Sequence, residues 1–283
     1  VEPDNVISVT LAIVTGNAVD NDFSEALATV SGKVFVDGSL APMEGVLITL
    51  SGTDVTGHTI TPLFVMTEPD GTYVITGMLA GDYVITESQP VGYAQGAVEP
   101  DGVILVTLLA GDSVTGQDFS EAAATISGAV YVDGSNVPVA GVPISLDGVD
   151  ANGEPVSIPI VTDANGRYSF TGLLAGTYTI TETQPVGYAQ GAVEPDNSIP
   201  AITLLAGQSI VRQDFSEALS TVSGRVYLDG TGSPLAGVVV LLTGIDANGA
   251  TVSLSATTAP DGSYAFTNLL AGEYTVTEVQ PPA

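Results

Sequence analysis

The feature that most constrains this chain is an internal repeat of 96 residues. The string D-F-S-E-A begins at three positions with that spacing, Asp22, Asp118 and Asp214. The string S-G-x-V-[FY]-[VL]-D-G recurs with the same spacing, beginning at Ser31, Ser127 and Ser223. Residues 89–101 and 184–196 are the same thirteen residues, QPVGYAQGAVEPD. A unit of about 100 residues can bury a core of its own. The repeat therefore predicts tandem copies of one domain.

Each copy has the pattern of a β-sandwich. In the second copy, seven short segments are rich in Val, Ile, Thr, Tyr and Phe and are bounded by Gly, Pro, Asn or Asp: 126–132, 142–146, 156–162, 167–171, 177–182, 201–205 and 209–215. Such segments with turn residues between them are typical of β-strands. No segment sustains a helical period. A half-buried sheet needs a second sheet to cover its apolar face. We therefore predict an all-β fold of tandem seven-stranded antiparallel β-sandwich domains.

The spacing predicts the domain boundaries. Repeat 1 is expected at 29–124, repeat 2 at 125–220, and repeat 3 at 221–283 without its last two strands. Residues 1–28 are expected to carry the last two strands of a preceding repeat, or strands donated to a neighbouring chain. In the second case the segments 6–14 and 18–23 would complete repeat 3 of another copy by adding strands to it. A continuous longer array would give the same contacts.

The connection between successive repeats does not have the composition of a flexible linker. Six residues, S-E-A-A-A-T, separate Phe119 from Ile126, and none of them is Gly or Pro. Because flexible linkers are rich in Gly and Ser, we expect the domains to be arranged as a rod without free hinges.

One glutamate per copy falls on the apolar side of a strand. In the strand at 177–182, Tyr178, Ile180 and Glu182 share one face. Glu87 and Glu278 occupy the same place in the other two copies. Two interpretations remain open for these glutamates. The strand has reached the rim of the sandwich, where the carboxylate meets water, or the glutamate is buried and hydrogen-bonded.

The charge balance excludes several kinds of partner. The chain has 32 acidic and four basic residues and a net charge of −28. Because binding to phosphates requires Lys and Arg, nucleic acid and anionic membrane surfaces are not expected partners. Without cysteine, the chain has no disulfide, zinc–thiolate site or thiol nucleophile. No apolar run approaches the roughly 20 residues that span a bilayer, so we expect no membrane insertion.

The order of the motifs resembles a known family. S-G-x-V-[FY] opens the unit, L-A-G-V-x-[IV]-x-L follows as at 235–242, and G-x-L-A-G-x-Y-x-[IV]-T-E and Q-P-x-G-Y come later, before the closing D-F. This order resembles the B-type repeat domains of Gram-positive collagen adhesins and serine-aspartate-repeat surface proteins, within the wider prealbumin-like sandwich group. The resemblance extends over essentially the whole chain. It implies extracellular domains that hold a binding region away from the cell.

The resemblance also implies that an internal isopeptide bond is to be considered. Some members join a first-strand Lys to a last-strand Asn or Asp, with the Glu of Y-x-[IV]-T-E as catalyst. Lys33, Glu87 and Asp118 match those positions in repeat 1. Ala129 and Arg225 take the place of the lysine in the other copies and cannot form the bond. A position that accepts Lys, Ala and Arg is typical of a solvent-facing site.

Calcium is the second feature that the resemblance implies. Serine-aspartate-repeat domains have a D-x-N-x-N-G-type loop after the first strand. Here that loop is shortened to D-G-S or D-G-T. A weak calcium site is still expected as one alternative at the junctions, from the acidic residues of D-F-S-E: Asp22, Glu25, Asp118, Glu121, Asp214 and Glu217. The other alternative is that these carboxylates, and those of the E-P-D triplets at 2–4, 99–101 and 194–196, are solvated.

The residues indicate a structural role and no catalysis. The single histidine, His58, occurs in one copy, no phosphate-binding glycine motif is present, and no cofactor is expected. We predict an extracellular structural repeat protein that forms a stalk or a head-to-tail filament on the cell surface, with other copies of itself as partners. The alternative is an adhesin module that binds a host protein or a carbohydrate, the latter through Tyr93 and Tyr188. Near-identity between copies favours the structural role, whereas an exposed aromatic patch in one copy would favour the adhesin.

Overall fold

The computed structural model describes residues 26–280, and every regular element in that range is a β-strand. The chain divides into two compact units, Val1–Ala123 and Ala124–Ala283. The first contains repeat 1, and the second contains repeats 2 and 3. Within residues 26–280, no helix is long and apolar enough to span a bilayer. The all-β class predicted from strand alternation and turn residues is confirmed.

Repeat 1 is formed by nine strands in two sheets. The strands are β1 (Ala28–Val36), β2 (Leu47–Asp54), β3 (Leu63–Met66), β4 (Thr72–Met78), β5 (Gly81–Glu87), β6 (Ala94–Gln95), β7 (Val103–Leu108), β8 (Ser113–Val114) and β9 (Phe119–Ala122). One sheet has the order β4-β1-β9-β6, with β8 also paired to β1. The other has the order β3-β2-β5-β7.

Repeat 2 has the same order of strands in two sheets. Its strands are β10 (Ala124–Val132), β11 (Val137–Pro138), β12 (Pro143–Asp150), β13 (Pro155–Val161), β14 (Arg167–Leu173), β15 (Gly176–Glu182), β16 (Ala189–Gln190), β17 (Ser198–Leu204), β18 (Ser209–Ile210) and β19 (Phe215–Ala218). β10 pairs with β11, β14, β18 and β19, and β19 also pairs with β16. The second sheet has the order β13-β12-β15-β17.

Repeat 3 has the corresponding strands as far as the described residues reach. They are β20 (Ser220–Arg225), β21 (Tyr227–Leu228), β22 (Ser233–Pro234), β23 (Val239–Asp246), β24 (Thr251–Thr257), β25 (Ser263–Leu269) and β26 (Gly272–Glu278). In this range β20 pairs with β25, β21 pairs with β22, and a third sheet has the order β24-β23-β26. Counterparts of β7 and β9 are not among the strands of repeat 3 that the structure describes.

The core of each repeat lies between its two sheets. Alternation along β1 buries Val30 and Val34, and alternation along β2 buries Ile48 and Leu50. These side chains belong to one cluster to which β4, β5, β7 and β9 also contribute. Since strand residues of one parity face the same side, this alternation is what lets short strands enclose a core.

The last strand of each complete repeat differs from the prediction in two respects. The segment 209–215 was predicted as one strand of an antiparallel fold. It forms two short strands, β18 and β19, which both run parallel to β10. At the break between them, the carboxylate of Asp214 accepts the N–H of Ala129 (2.9 Å). The carbonyl of Gln213 turns to accept the hydroxyl of Tyr168. Side chains thus supply the hydrogen bonds that a continuous strand would have formed.

Candidate functional site

The D-F-S-E string forms the centre of the site, because it places one polar and one charged residue inside the sandwich. In repeat 1 it includes the start of β9. Phe119 is fully buried in the core, and Ser120 and Glu121 are fully buried beside it. β9 pairs in parallel with β1, with Val36 opposite Glu121. Repeat 2 buries Phe215, Ser216 and Glu217 in the same manner.

The identical thirteen-residue segment folds over this strand. In repeat 1 the N–H of Gly96 donates to the Ser120 carbonyl (2.7 Å), and the N–H of Val98 donates to the Ser120 hydroxyl (2.9 Å). The N–H of Ala97 donates to the carboxylate of Asp37, in the turn after β1 (2.7 Å). The same three bonds recur in repeat 2 from Gly191, Ala192 and Val193. The identical segments 89–101 and 184–196 therefore make the same contacts with the strand in both repeats.

Two carboxyl groups meet beneath the strand, one from each sheet. Glu87 ends β5, and its side chain contacts that of Glu121 in β9. The side-chain amide of Gln89 donates a hydrogen bond to the carboxylate of Glu121. We call Glu87 with Glu121, and Glu182 with Glu217 in repeat 2, the carboxyl pairs. In repeat 2, Gln184 donates to Glu217, and Glu182 and Glu217 are only 3% and 0% exposed.

This arrangement decides between the two interpretations of the inward glutamates. Glu182 is buried and Glu87 is half-buried, so the interpretation as a rim carboxylate in water is wrong for repeat 2. In repeat 3, Glu278 is exposed, and a counterpart of Glu121 is not among the described residues of that repeat. The sequence signal for the pair is a glutamine two residues after the inward glutamate, which occurs in all three copies at Gln89, Gln184 and Gln280.

One proton satisfies each pair. With both groups ionised, neither carboxylate oxygen of Glu87 or of Glu182 has a donor. Burial, then the hydrogen bond and negative charge of Glu121, raise the pKa of Glu87 to about 9. Burial, then the charge of Glu217, raise the pKa of Glu182 to about 8. A proton on the first member would let it donate to its partner, which would relieve the cost of an unpaired buried charge.

The residues of the implied isopeptide bond have a different arrangement. The carboxylate of Asp118 accepts the backbone N–H of Lys33 (2.8 Å), and the Lys33 side chain is exposed. Asp214 makes the equivalent bond to Ala129. Because the aspartate binds backbone, the position can hold Lys, Ala or Arg. The isopeptide bond itself stays a prediction of the resemblance.

The residues predicted for calcium also have other contacts. Asp118 and Asp214 accept backbone N–H groups, and Glu121 and Glu217 belong to the carboxyl pairs. Among residues 26–280, no group of three or more acidic, His or Cys side chains is arranged to hold a metal ion. Asp22 and Glu25 lie outside the described residues. Calcium at the junctions stays a prediction.

The remaining candidate residues are dispersed. His58 is exposed, with its Nδ1 3.8 Å from an Oδ atom of Asp54 in the same turn. Tyr93 and Tyr188 are half-buried, and Tyr188 packs against the core of repeat 2. Tyr188 also lines an open groove of about 470 Å³ that includes Asn248 of repeat 3.

Comparisons with known proteins agree with the motifs. Residues 129–198 match the family model of the SdrD B-like domain, and residues 221–281 match that of the carboxypeptidase regulatory-like domain. Colossin-A of Dictyostelium discoideum is 28% identical over 77% of this chain, which spans 2% of its length. Serine-aspartate repeat-containing protein F of Staphylococcus epidermidis is 27% identical over 74% of this chain, which spans 14% of its length.

Among solved structures, the Bacillus anthracis TIE protein aligns with 91% of this chain and 46% of its own, at 17% identity and a TM-score of 0.43. The family models and the serine-aspartate repeat relative confirm the resemblance predicted from the motifs. The repeats of this chain are accordingly similar to Cna B-type and SdrD B-like, prealbumin-like repeat domains.

Proposed function

We propose that this chain is a non-enzymatic structural stalk, displayed outside the cell or on its surface, whose successive repeats hold one another in line. One observation carries the proposal. A single residue, Ala123, separates β9 of repeat 1 from β10 of repeat 2, and a single residue, Leu219, separates β19 from β20. A one-residue connection between two strands has little of the freedom that a flexible linker needs.

A contact between repeats 2 and 3 supports the same role. The carbonyl of Gly187 accepts the N–H of Ala271 (2.7 Å). A Cβ placed on Gly187 would lie 3.2 Å from those of Ala247 and Leu270. The Q-P-V-G-Y segment of one repeat thus rests on two turns of the next. This contact opposes bending at the junction.

Small-angle X-ray scattering of the purified chain tests the stalk. We expect an elongated particle with a well-defined maximum dimension, because one-residue connections leave the repeats little freedom. A matched variant carries eight Gly and Ser residues inserted between Leu219 and Ser220. It is expected to give a broader distribution of interatomic distances. A compact particle, or a native chain as flexible as the insertion variant, would contradict the proposal.

Other copies of the same repeat are the partners we propose. In the described part of repeat 3, β26 has no neighbour on the side that β7 occupies beside β5 in repeat 1. Open strand edges favour the addition of further strands. Residues 6–23 have the sequence pattern of β7 to β9 and lie outside the described residues. Such strands would come from another copy in a head-to-tail filament, or from a following segment of a continuous array.

A second candidate function is favoured by an exposed apolar surface on repeat 1. The outer face of its second sheet carries two exposed side chains on β3, Phe64 (67% exposed) and Met66, and a third on β7, Leu105 (78% exposed). Val84 lies opposite Leu105 in the same face. The position that corresponds to Phe64 is occupied by Pro159 in repeat 2 and by Ser255 in repeat 3. Exposed apolar groups of this kind are typical of binding surfaces.

This face would bind a protein segment with apolar and basic side chains. Asp82 lies on the same face beside Leu105, and Lys33, the one basic residue of repeat 1, is on the other sheet. A synthetic peptide of alternating Lys and Leu is a suitable probe. Phe64→Ser with Leu105→Thr is expected to weaken its binding on the order of tenfold or more, as loss of a central apolar anchor does. Val161→Ser, at the position in repeat 2 that corresponds to Met66, is the control. Equal binding by all three proteins would exclude this face.

A further inference from the structure

The carboxyl pairs join the two sheets of a repeat across its apolar core. Glu87 belongs to the sheet β3-β2-β5-β7, where it lies opposite Ile48. Glu121 belongs to the other sheet, where it lies opposite Val36 and Gln95. Each pair therefore bridges the two sheets of its repeat. The bridge reaches a short part of the last strand, since β9 and β19 have four residues each.

We propose that each carboxyl pair is a proton-binding site, and that the bound proton holds the D-F-S-E strand in its repeat. Two observations carry this assignment. The oxygens of Glu87 and Glu182 lack any donor, although both groups face a second carboxylate. The same pair with the same glutamine donor recurs in repeat 2, at Glu182, Glu217 and Gln184.

The groups that surround each pair are acidic or neutral. In repeat 1, burial raises the pKa of Glu121 and the charge of Asp37, which faces it, adds to this, and the Tyr73 ring faces both Glu87 and Asp118. In repeat 2, the corresponding groups are Asp133, Tyr168 and Asp214. The lysine of repeat 1, Lys33, is exposed on the outer side of β1. A second buried negative charge would therefore arise without a counter-charge, which is strongly unfavourable.

The direction of the pH dependence follows from the raised pKa values. The folded repeat holds its proton up to about pH 9 for Glu87 and about pH 8 for Glu182, whereas an exposed glutamate releases it near its ordinary value of 4.5. The stabilisation is complete below pH 4.5 and is lost as the pH rises through 8 to 9. Between these limits, opening of the strand releases one proton, so the open fraction rises on the order of tenfold per pH unit.

Release of the strand has a structural consequence. The edge of β1 or β10 that β9 or β19 covers would become free to pair with another strand. A copy of the D-F-S-E strand from another chain has the sequence to replace it. The inference does not depend on the stalk role, because it concerns a single repeat.

Hydrogen exchange on the full chain tests the proposal. Peptides that cover 119–122 and 215–218 are followed by mass spectrometry at pH 5, 6, 7 and 8. The double variant Glu87→Gln, Glu182→Gln is compared at each pH, so that intrinsic exchange rates cancel. Its amides can donate permanently to Glu121 and Glu217. The ratio of native to variant exchange is expected to rise on the order of tenfold per pH unit. The control Glu44→Gln, Glu154→Gln alters two exposed glutamates and should follow the native chain.

Three results would overturn the proposal. The first is a native-to-variant ratio that does not change with pH. The second is protection of the strands by 1 mM calcium at constant pH, which would identify a cation site in place of a proton site. The third is independent of the variants and of their folding. Carbon-13 spectra of the native chain should show two glutamate carboxyls that titrate well above the others, and titration of every glutamate near 4.5 would refute the bound proton.

Discussion

Alanine in place of Gly128 is expected to unfold repeat 2. Gly128 lies in β10 where the carbonyl of Gln213 crosses over the strand, and a Cβ there would overlap that carbonyl oxygen. The same atoms position the Tyr168 hydroxyl, so the backbone cannot move aside without loss of a buried hydrogen bond. We expect a loss of about 4 kcal/mol or more in the free energy of unfolding, the range of severe core disruptions. Calorimetry of the chain should show the transition of the second unit at a much lower temperature.

Gly224→Ala is the matched control for this substitution. Gly224 holds the same place in repeat 3, where the nearest atom to an added Cβ is the hydroxyl oxygen of Tyr264 at 2.5 Å. That atom is the end of a side chain, which can rotate away. We expect a loss below about 2 kcal/mol. Equal losses for Gly128→Ala and Gly224→Ala would show that the crossing carbonyl is not the cause.

Truncation of Phe119 to alanine is expected to be the most damaging change in the D-F-S-E strand of repeat 1. Phe119 is fully buried, and it anchors a strand of four residues to the core. Replacement of a buried phenylalanine by alanine removes about 3–5 kcal/mol through lost burial and the cavity that remains. Urea titration with hydrogen exchange as the readout gives the free energy of unfolding of the first unit. The difference between the native chain and the variant is this loss. Exchange in β9 should rise more than in β2.

Phe64→Ala provides the comparison within the same repeat. The Phe64→Ala substitution removes the same atoms as Phe119→Ala, but from an exposed position on the outer face of β3. Its effect on stability is expected to stay within about 0.5 kcal/mol, as for surface substitutions in general. If Phe64→Ala destabilised the repeat as much as Phe119→Ala, the assignment of inner and outer faces would be incorrect.

Much of the fold could be predicted from the sequence because its information is local. The repeat period, the alternation of Tyr178 and Ile180 with threonines, and the turn residues between strands each depend on near neighbours. They were enough for the all-β class and for six of the strands of repeat 2, β10, β12, β13, β14, β15 and β17. They did not predict the division of 209–215 into two strands parallel to β10, since the Asp214 side chain that ends the pairing binds a residue 85 positions away.

The candidate site also divides into features that the sequence predicts and features that only the tertiary structure shows. Sequence alone determined that an inward glutamate ends the fifth strand of each copy, that D-F-S-E closes the unit, and that the chain has almost no basic residues. Only the tertiary structure decided that these two glutamates meet. The contact between Glu87 and Glu121 joins strands from different sheets, and no periodicity of a single strand can encode it. Whether a carboxyl group is solvated or shares a proton depends on the water and charges around it, and the packing of the two sheets determines both.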